Sequence, residues 1–89
     1  MNLRIPDYVV FRILDNEAVI LNLASGVYFG LDSMGTRMWQ LVSEHGSTDK
    51  VVAALLDEYD AAEDRLRQDL NELTRQLIDK GLIKADAAE

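Results

Sequence analysis

The feature that most constrains this chain is a change of hydrophobic period after Leu31. Before it, three short apolar runs, Tyr8 to Leu14, Ala18 to Leu23 and Val27 to Leu31, are separated by Asp15-Asn16-Glu17 and Ala24-Ser25-Gly26. Connections that short can join only adjacent antiparallel strands, so the segment is predicted to be a three-stranded meander. Val9, Phe11 and Ile13 share one face of the first strand, and Val19, Leu21 and Leu23 share a face of the second. One sheet face is expected to be packed and the other partly wet.

Beyond Leu31 the apolar residues recur at three- and four-residue spacing, which predicts helices. Asp32 or Ser33 caps a first helix carrying Met34, Met38, Leu41 and Val42, with His45-Gly46 at its end. Ser47 caps a second, with Val51, Val52, Leu55, Leu56 and Tyr59 on one stripe. A third is expected over 61–80, opened by a capping box of Asp60 and Glu63 and closed at Gly81. Leu66, Leu70, Leu73 and Leu77 line its core face, and Leu82 folds back onto Leu77 in a Schellman arrangement. Lys84 to Glu89 read as a frayed tail. The expectation is a single domain, 1–89, with an ordered core over about 8–83, of α+β class. A three-stranded antiparallel sheet followed by three helices is compatible with a winged helix-turn-helix.

Chemistry is sparse. With no cysteine there is no disulfide framework, thiol nucleophile or thiolate metal site, and a reducing cytoplasm is the expected location. His45 is the only histidine and is read as a helix-end group. The acidic residues show no EF-hand loop, HExxH or facial-triad spacing, so neither metal nor other cofactor is expected. Ser25, Ser33, Ser43 and Ser47 lack a nucleophile elbow, and the glycines form no phosphate-cradling run. No catalytic residue is assigned. The acids Asp57, Glu58, Asp60, Glu63 and Asp64 are read as solvated helix ends, and Met34 and Met38 as core.

Nine basic against sixteen acidic residues give a formal charge of −7, which repels phosphate backbones and anionic lipid. No run approaches the roughly 18 apolar residues of a membrane span. Nucleic acid and membrane are therefore not expected partners.

The third strand, Val27-Tyr28-Phe29-Gly30-Leu31, would be a sheet edge without lysine, proline or inward charge to discourage pairing. Gly30 would permit close approach of another backbone. Either the chain's own helix covers this edge or an extended peptide adds to it as a fourth strand.

The stretch Ala18 to Leu41 resembles the PqqD family. The likeness is carried by Gly26-Val27-Tyr28-Phe29-Gly30-Leu31-Asp32 followed by Gly35 and Met38-Trp39. It continues through Val51-Val52-Ala53-Ala54-Leu55 and Tyr59, then Asp69-Leu70 and Gly81-Leu82-Ile83. The resemblance implies a winged helix-turn-helix that recognises leader peptides in pathways to ribosomally synthesised, post-translationally modified peptides. It also implies a leader strand paired with Val27 to Leu31, in the groove between that strand and the third helix. On that helix Arg67, Asn71, Thr74 and Ile78, together with Leu70, form the flank expected to face the peptide, while Asp69 matches a recurrent family position. The implied partners are a precursor leader peptide and a separate processing enzyme. The preferred enzyme is the cysteine leader peptidase of a lasso-peptide system, with a cyclase or a radical-SAM enzyme as further candidates.

Two other functions compete. A winged-helix DNA-binding regulator would share the fold, but the third helix carries five acidic against four basic side chains, where a groove-reading helix should be basic. A homodimerisation module would pair the same strand edge with its own copy.

Overall fold

The computed structural model describes residues 2–86. Its elements are β1 (Asn2–Arg4), β2 (Val9–Leu14), β3 (Glu17–Asn22), β4 (Tyr28–Leu31), α1 (Ser33–His45), α2 (Thr48–Glu58), α3 (Glu63–Asp79) and β5 (Lys84–Asp86). Strands β2-β3-β4 form the expected antiparallel meander. Its first turn has positive φ at both Asp15 (52°) and Asn16 (66°), the twist that suits a two-residue hairpin.

Register decides which sheet face is buried. Val9, Phe11 and Ile13 lie opposite Asn22, Ile20 and Ala18, so the packed face of β3 is Ala18, Ile20 and Asn22. The Val19 and Leu21 face is the open one, and Val10, Val19 and Tyr28 are exposed on it. Periodicity could not choose, because Ala18 to Leu21 is apolar at every position. The helices choose: Ala18 donates its N–H to Thr36 Oγ1 of α1 at 2.8 Å, and that hydroxyl lies 3.4 Å from the Leu31 carbonyl it bonds.

Asn22 ties the β3–β4 turn to the far end of the chain. Its Oδ1 accepts from Ala24 N (2.9 Å) and Ser25 N (3.1 Å), and its Nδ2 donates to the Gly81 carbonyl (3.0 Å). Gly81 itself, at φ 72°, ends α3 as expected. Gly81 N donates to Ile78 O (3.0 Å) and Leu82 N to Leu77 O (2.9 Å), the two bonds of a Schellman motif, and Leu82 is buried.

Under the sheet, Trp39 is fully buried in edge-to-face contact with Phe11, 5.4 Å between centroids. Trp39, Ile20, Met38 and Leu41 join Val51, Leu55, Leu66, Leu70 and Leu77 in one core. The methionine expectation holds for Met38, whereas Met34 is only partly buried.

Two expectations are corrected. Asp60 and Glu63 form no capping box: α3 begins at Glu63, with Ala62 at its N-cap and no side-chain cap bond. The Glu63 carboxylate is engaged elsewhere, accepting from Arg67 Nε at 2.9 Å, while Arg67 Nη1 reaches Asp49 of α2 at 2.9 Å. Lys84 to Asp86 are not a frayed tail either, because they pair with Asn2 to Arg4, and Leu3 N donates to Gly46 O. Three-residue strands carry too little periodicity to be recognised, and their pairing joins the two ends of the sequence. Residues 87–89 of the expected tail lie outside the described residues.

Arg37 grips Glu58 through Nε (2.7 Å) and Nη2 (2.6 Å), joining α1 to the end of α2. The Arg37 hydrogen bond holds the Glu58 carboxyl below the usual glutamate range. Its stabilisation is therefore present when the carboxylate is ionised and is lost as pH falls through that lowered pKa. Glu58→Gln is expected to flatten the acid side of the stability-versus-pH curve in urea titrations; an unchanged acid limb would show the pair to be idle. Asn22→Ala is expected to cost about 2 kcal/mol or more, because it leaves three backbone groups without their partner. Urea-induced unfolding measures that loss.

Candidate functional site

Strand β4 is an edge of the meander. Val27 O accepts from Asn22 N at 2.8 Å, which sets the alternation of the antiparallel ladder. The Ile20–Phe29 pair is then hydrogen-bonded, and Tyr28 and Gly30 direct their N–H and C=O groups away from β3, to the free side. Phe29 and Leu31 turn their side chains toward the helices, and Leu31 is buried. Tyr28 is 72% exposed on the outer face.

Beside this edge runs a groove of about 410 Å³. Phe29, Gly30 and Leu31 form one wall, and Asp69, Leu73 and Gln76 of α3 form the other. The start of α1 lies between them, contributing Met34, Gly35 and Met38. The chain passes from wall to floor at Asp32, whose Oδ1 caps α1 by accepting from Gly35 N at 2.8 Å. Gly35 makes this junction close-packed: an added Cβ would meet Leu31 Cδ2 at 3.2 Å and Asp32 Oδ1 at 3.3 Å, so both side chains would have to give by a few tenths of an ångström. The groove is thus lined by a free strand edge on one side, an apolar bottom, and a helix flank bearing one carboxylate and one carboxamide.

The charges are arranged along its length. Among the described residues Asp69 has one ion-pair contact, to Arg65 Nε one turn back at 3.4 Å, and the pair is largely exposed, so it contributes little. At the other end Lys80 Nζ stands 5.5 Å from the centre of the Phe29 ring. Among the described residues no group of three or more His, Asp or Glu side chains could hold a metal, and no helix is long and apolar enough to cross a membrane.

Of the residues singled out from sequence, Phe29, Gly30 and Leu31 line this groove, with Val27 and Tyr28 on the same edge segment. The structure does not bring the chosen flank of the third helix to them. Arg67 is committed to the clasp with Glu63 and Asp49, and both carboxylates raise its pKa, Glu63 more than Asp49. Leu70 and Thr74 are buried in the interior. Asn71, Thr74 and Ile78 border a separate depression of about 380 Å³. The flank that faces β4 is Asp69, Leu73 and Gln76, at spacings of four and three residues. Leu73 belonged to the apolar stripe and Asp69 to the recurrent positions. Together they marked this row, but the more apolar look of the other flank obscured it.

The sequence profile described as coenzyme PQQ synthesis protein D (PqqD) matches residues 17–83. No curated protein matches the chain. Among solved structures, TbiB1 in complex with the TbiA(beta) leader peptide is 37% identical, with a TM-score of 0.87 over 94% of this chain and 98% of that one. A lasso peptide synthetase B1 complexed with the leader peptide is 21% identical, with a TM-score of 0.82 over 96% of this chain and 100% of that one, a likeness of fold.

Leu70→Ala is expected to lower stability by about 2–5 kcal/mol through the cavity it opens. Thermal unfolding indistinguishable from the parent would remove Leu70 from the core that supports the groove wall.

Proposed function

This chain belongs to the PqqD family, and from that premise we propose that it is a non-catalytic adaptor that holds the leader segment of a ribosomally made precursor peptide for separate processing enzymes. The observation that carries the proposal is the free edge of β4 beside an open groove. It occurs in a chain 37% identical to TbiB1, which was solved with a leader peptide bound. The leader adds as a fourth strand, pairing with the outward N–H and C=O groups of Tyr28 and Gly30, and places alternate side chains over Leu31, Met34 and Met38. Main-chain bonds supply sequence-tolerant affinity, and the apolar floor selects side-chain size. The binding segment is Val27 to Leu31 together with Asp69, Leu73 and Gln76. The Arg67, Asn71, Thr74 and Ile78 flank, with Leu70 behind it, supports the helix rather than touching the peptide.

A lasso-peptide leader protease is the preferred recipient, since both leader-bound structures are B1 proteins by name or likeness of fold. The work would be done in the cytoplasm, where the precursor is made. DNA binding is disfavoured because Arg65 and Arg67 of α3 already face Asp69, Glu63 and Asp49.

Fluorescence polarisation with labelled leaders from short reading frames beside the gene tests this. Tyr28→Pro and Gly30→Pro each delete a donor on the free side without touching the β3–β4 ladder, so each is expected to weaken binding about tenfold or more with folding retained. Full affinity in both folded variants would exclude strand addition at β4. Concentration-dependent self-association with no leader binding would favour a homodimerisation module instead.

A further inference from the structure

A guest strand on β4 has two edges, and β4 satisfies only one. Its other row of N–H and C=O groups would face α3 across the groove, and a purely apolar helix wall would bury those groups without partners. Each unpaired buried amide costs about 1–3 kcal/mol, enough to cancel much of what strand pairing gains. The wall is not purely apolar. Asp69 and Gln76 stand on it, one on each side of Leu73.

Their chemistry and spacing match the need. Seven residues of helix advance about 10 Å. In a strand, the N–H of one residue and the C=O of the residue two further on point to the same side and lie about 9 Å apart. Asp69 offers only acceptors, whereas the Gln76 carboxamide offers donors as well. Asp69 is partly exposed, and its one ion-pair partner among the described residues is an exposed arginine at 3.4 Å. Nothing in the packing of the core requires a carboxylate there.

We propose that Asp69 and Gln76 clamp the second edge of the bound peptide strand, Asp69 accepting a peptide backbone N–H and Gln76 donating to a backbone carbonyl two residues on. The clamp rests on the strand-addition reading and deepens it. Because it reads main chain, it tolerates many leader sequences while demanding an extended backbone with an unsubstituted amide at one position. A proline or N-alkylated residue at that position is rejected.

The probe is a peptide of about 16 residues enriched from a random displayed library against the intact chain, then synthesised with single amide-to-ester replacements along its length. Asp69→Leu is expected to weaken it roughly 10- to 100-fold, the range of a hydrogen bond to a charged acceptor, and Gln76→Leu about fivefold. Asp69→Asn keeps an acceptor oxygen and should recover much of the loss. One ester position should weaken binding to the parent as much as Asp69→Leu does, and cost nothing further in Asp69→Leu. Circular dichroism and melting confirm that the variants fold. Equal losses for Asn and Leu at position 69, tracking a lysine or arginine of the peptide, would overturn the clamp in favour of charge selection. Unchanged affinity in Asp69→Leu, for a peptide that Gly30→Pro still releases, overturns it while leaving strand addition standing. Failure of every library peptide to depend on the β4 edge removes the underlying reading itself.

Discussion

The passage from β4 into α1 is the constraint on which the rest of the structure depends. Within six residues the chain leaves the sheet, caps a helix and passes beneath its own strands. Asp32 supplies the cap to Gly35, and Thr36 inserts its hydroxyl between the Ala18 N–H and the Leu31 carbonyl. Gly35 lets the helix start pack closely here, since a Cβ would stand 3.2 Å from Leu31 Cδ2 and require that side chain to shift. Together these contacts fix α1 under the sheet, so Met38 and Trp39 become core. The packed face of β3 then has to be Ala18, Ile20 and Asn22.

The same junction creates the groove. A helix that turned outward after β4 would cover the strand's free edge, whereas this one leaves the edge open and supplies a floor. The opposite wall depends on α3, which is seated by Leu66, Leu70 and Leu77 in the core, linked to α2 by Arg67 and Asp49, and ended by the Schellman turn at Gly81. Asn22 connects that turn to the β3–β4 loop through the Gly81 carbonyl. The two walls are therefore tied together at one end of the groove, away from the open edge. On the proposed reading, both walls of the leader groove are anchored by the chain's own bonds.

Acidic residues that looked like a solvated cluster have separate duties. Glu58 joins α2 to α1 through Arg37, and Glu63, instead of capping α3, holds the Arg67 side chain that reaches Asp49 of α2. Arg37 is distant from Glu58 in sequence, whereas Arg67 lies one helical turn from Glu63 and competes directly with the cap. A capping box competes with any cation that can reach the carboxylate, and here an arginine one turn along prevailed.

Much of the architecture was legible in the sequence because it follows from local periodicity. The three strands, the three helices, the Asp32 cap, the end of α3 and the identity of its leucine stripe all rest on residues within a few positions of one another. The edge character of Val27 to Leu31 and the family resemblance were legible for the same reason. Tertiary structure alone decided three matters. It chose the buried face of β3, which is apolar on both sides and takes its orientation from Thr36. It paired Asn2–Arg4 with Lys84–Asp86, a contact between chain ends that no window spans. And it chose which flank of α3 borders the groove, because that depends on the rotation of the helix about its axis, fixed by how Leu66, Leu70 and Leu77 seat in the shared core.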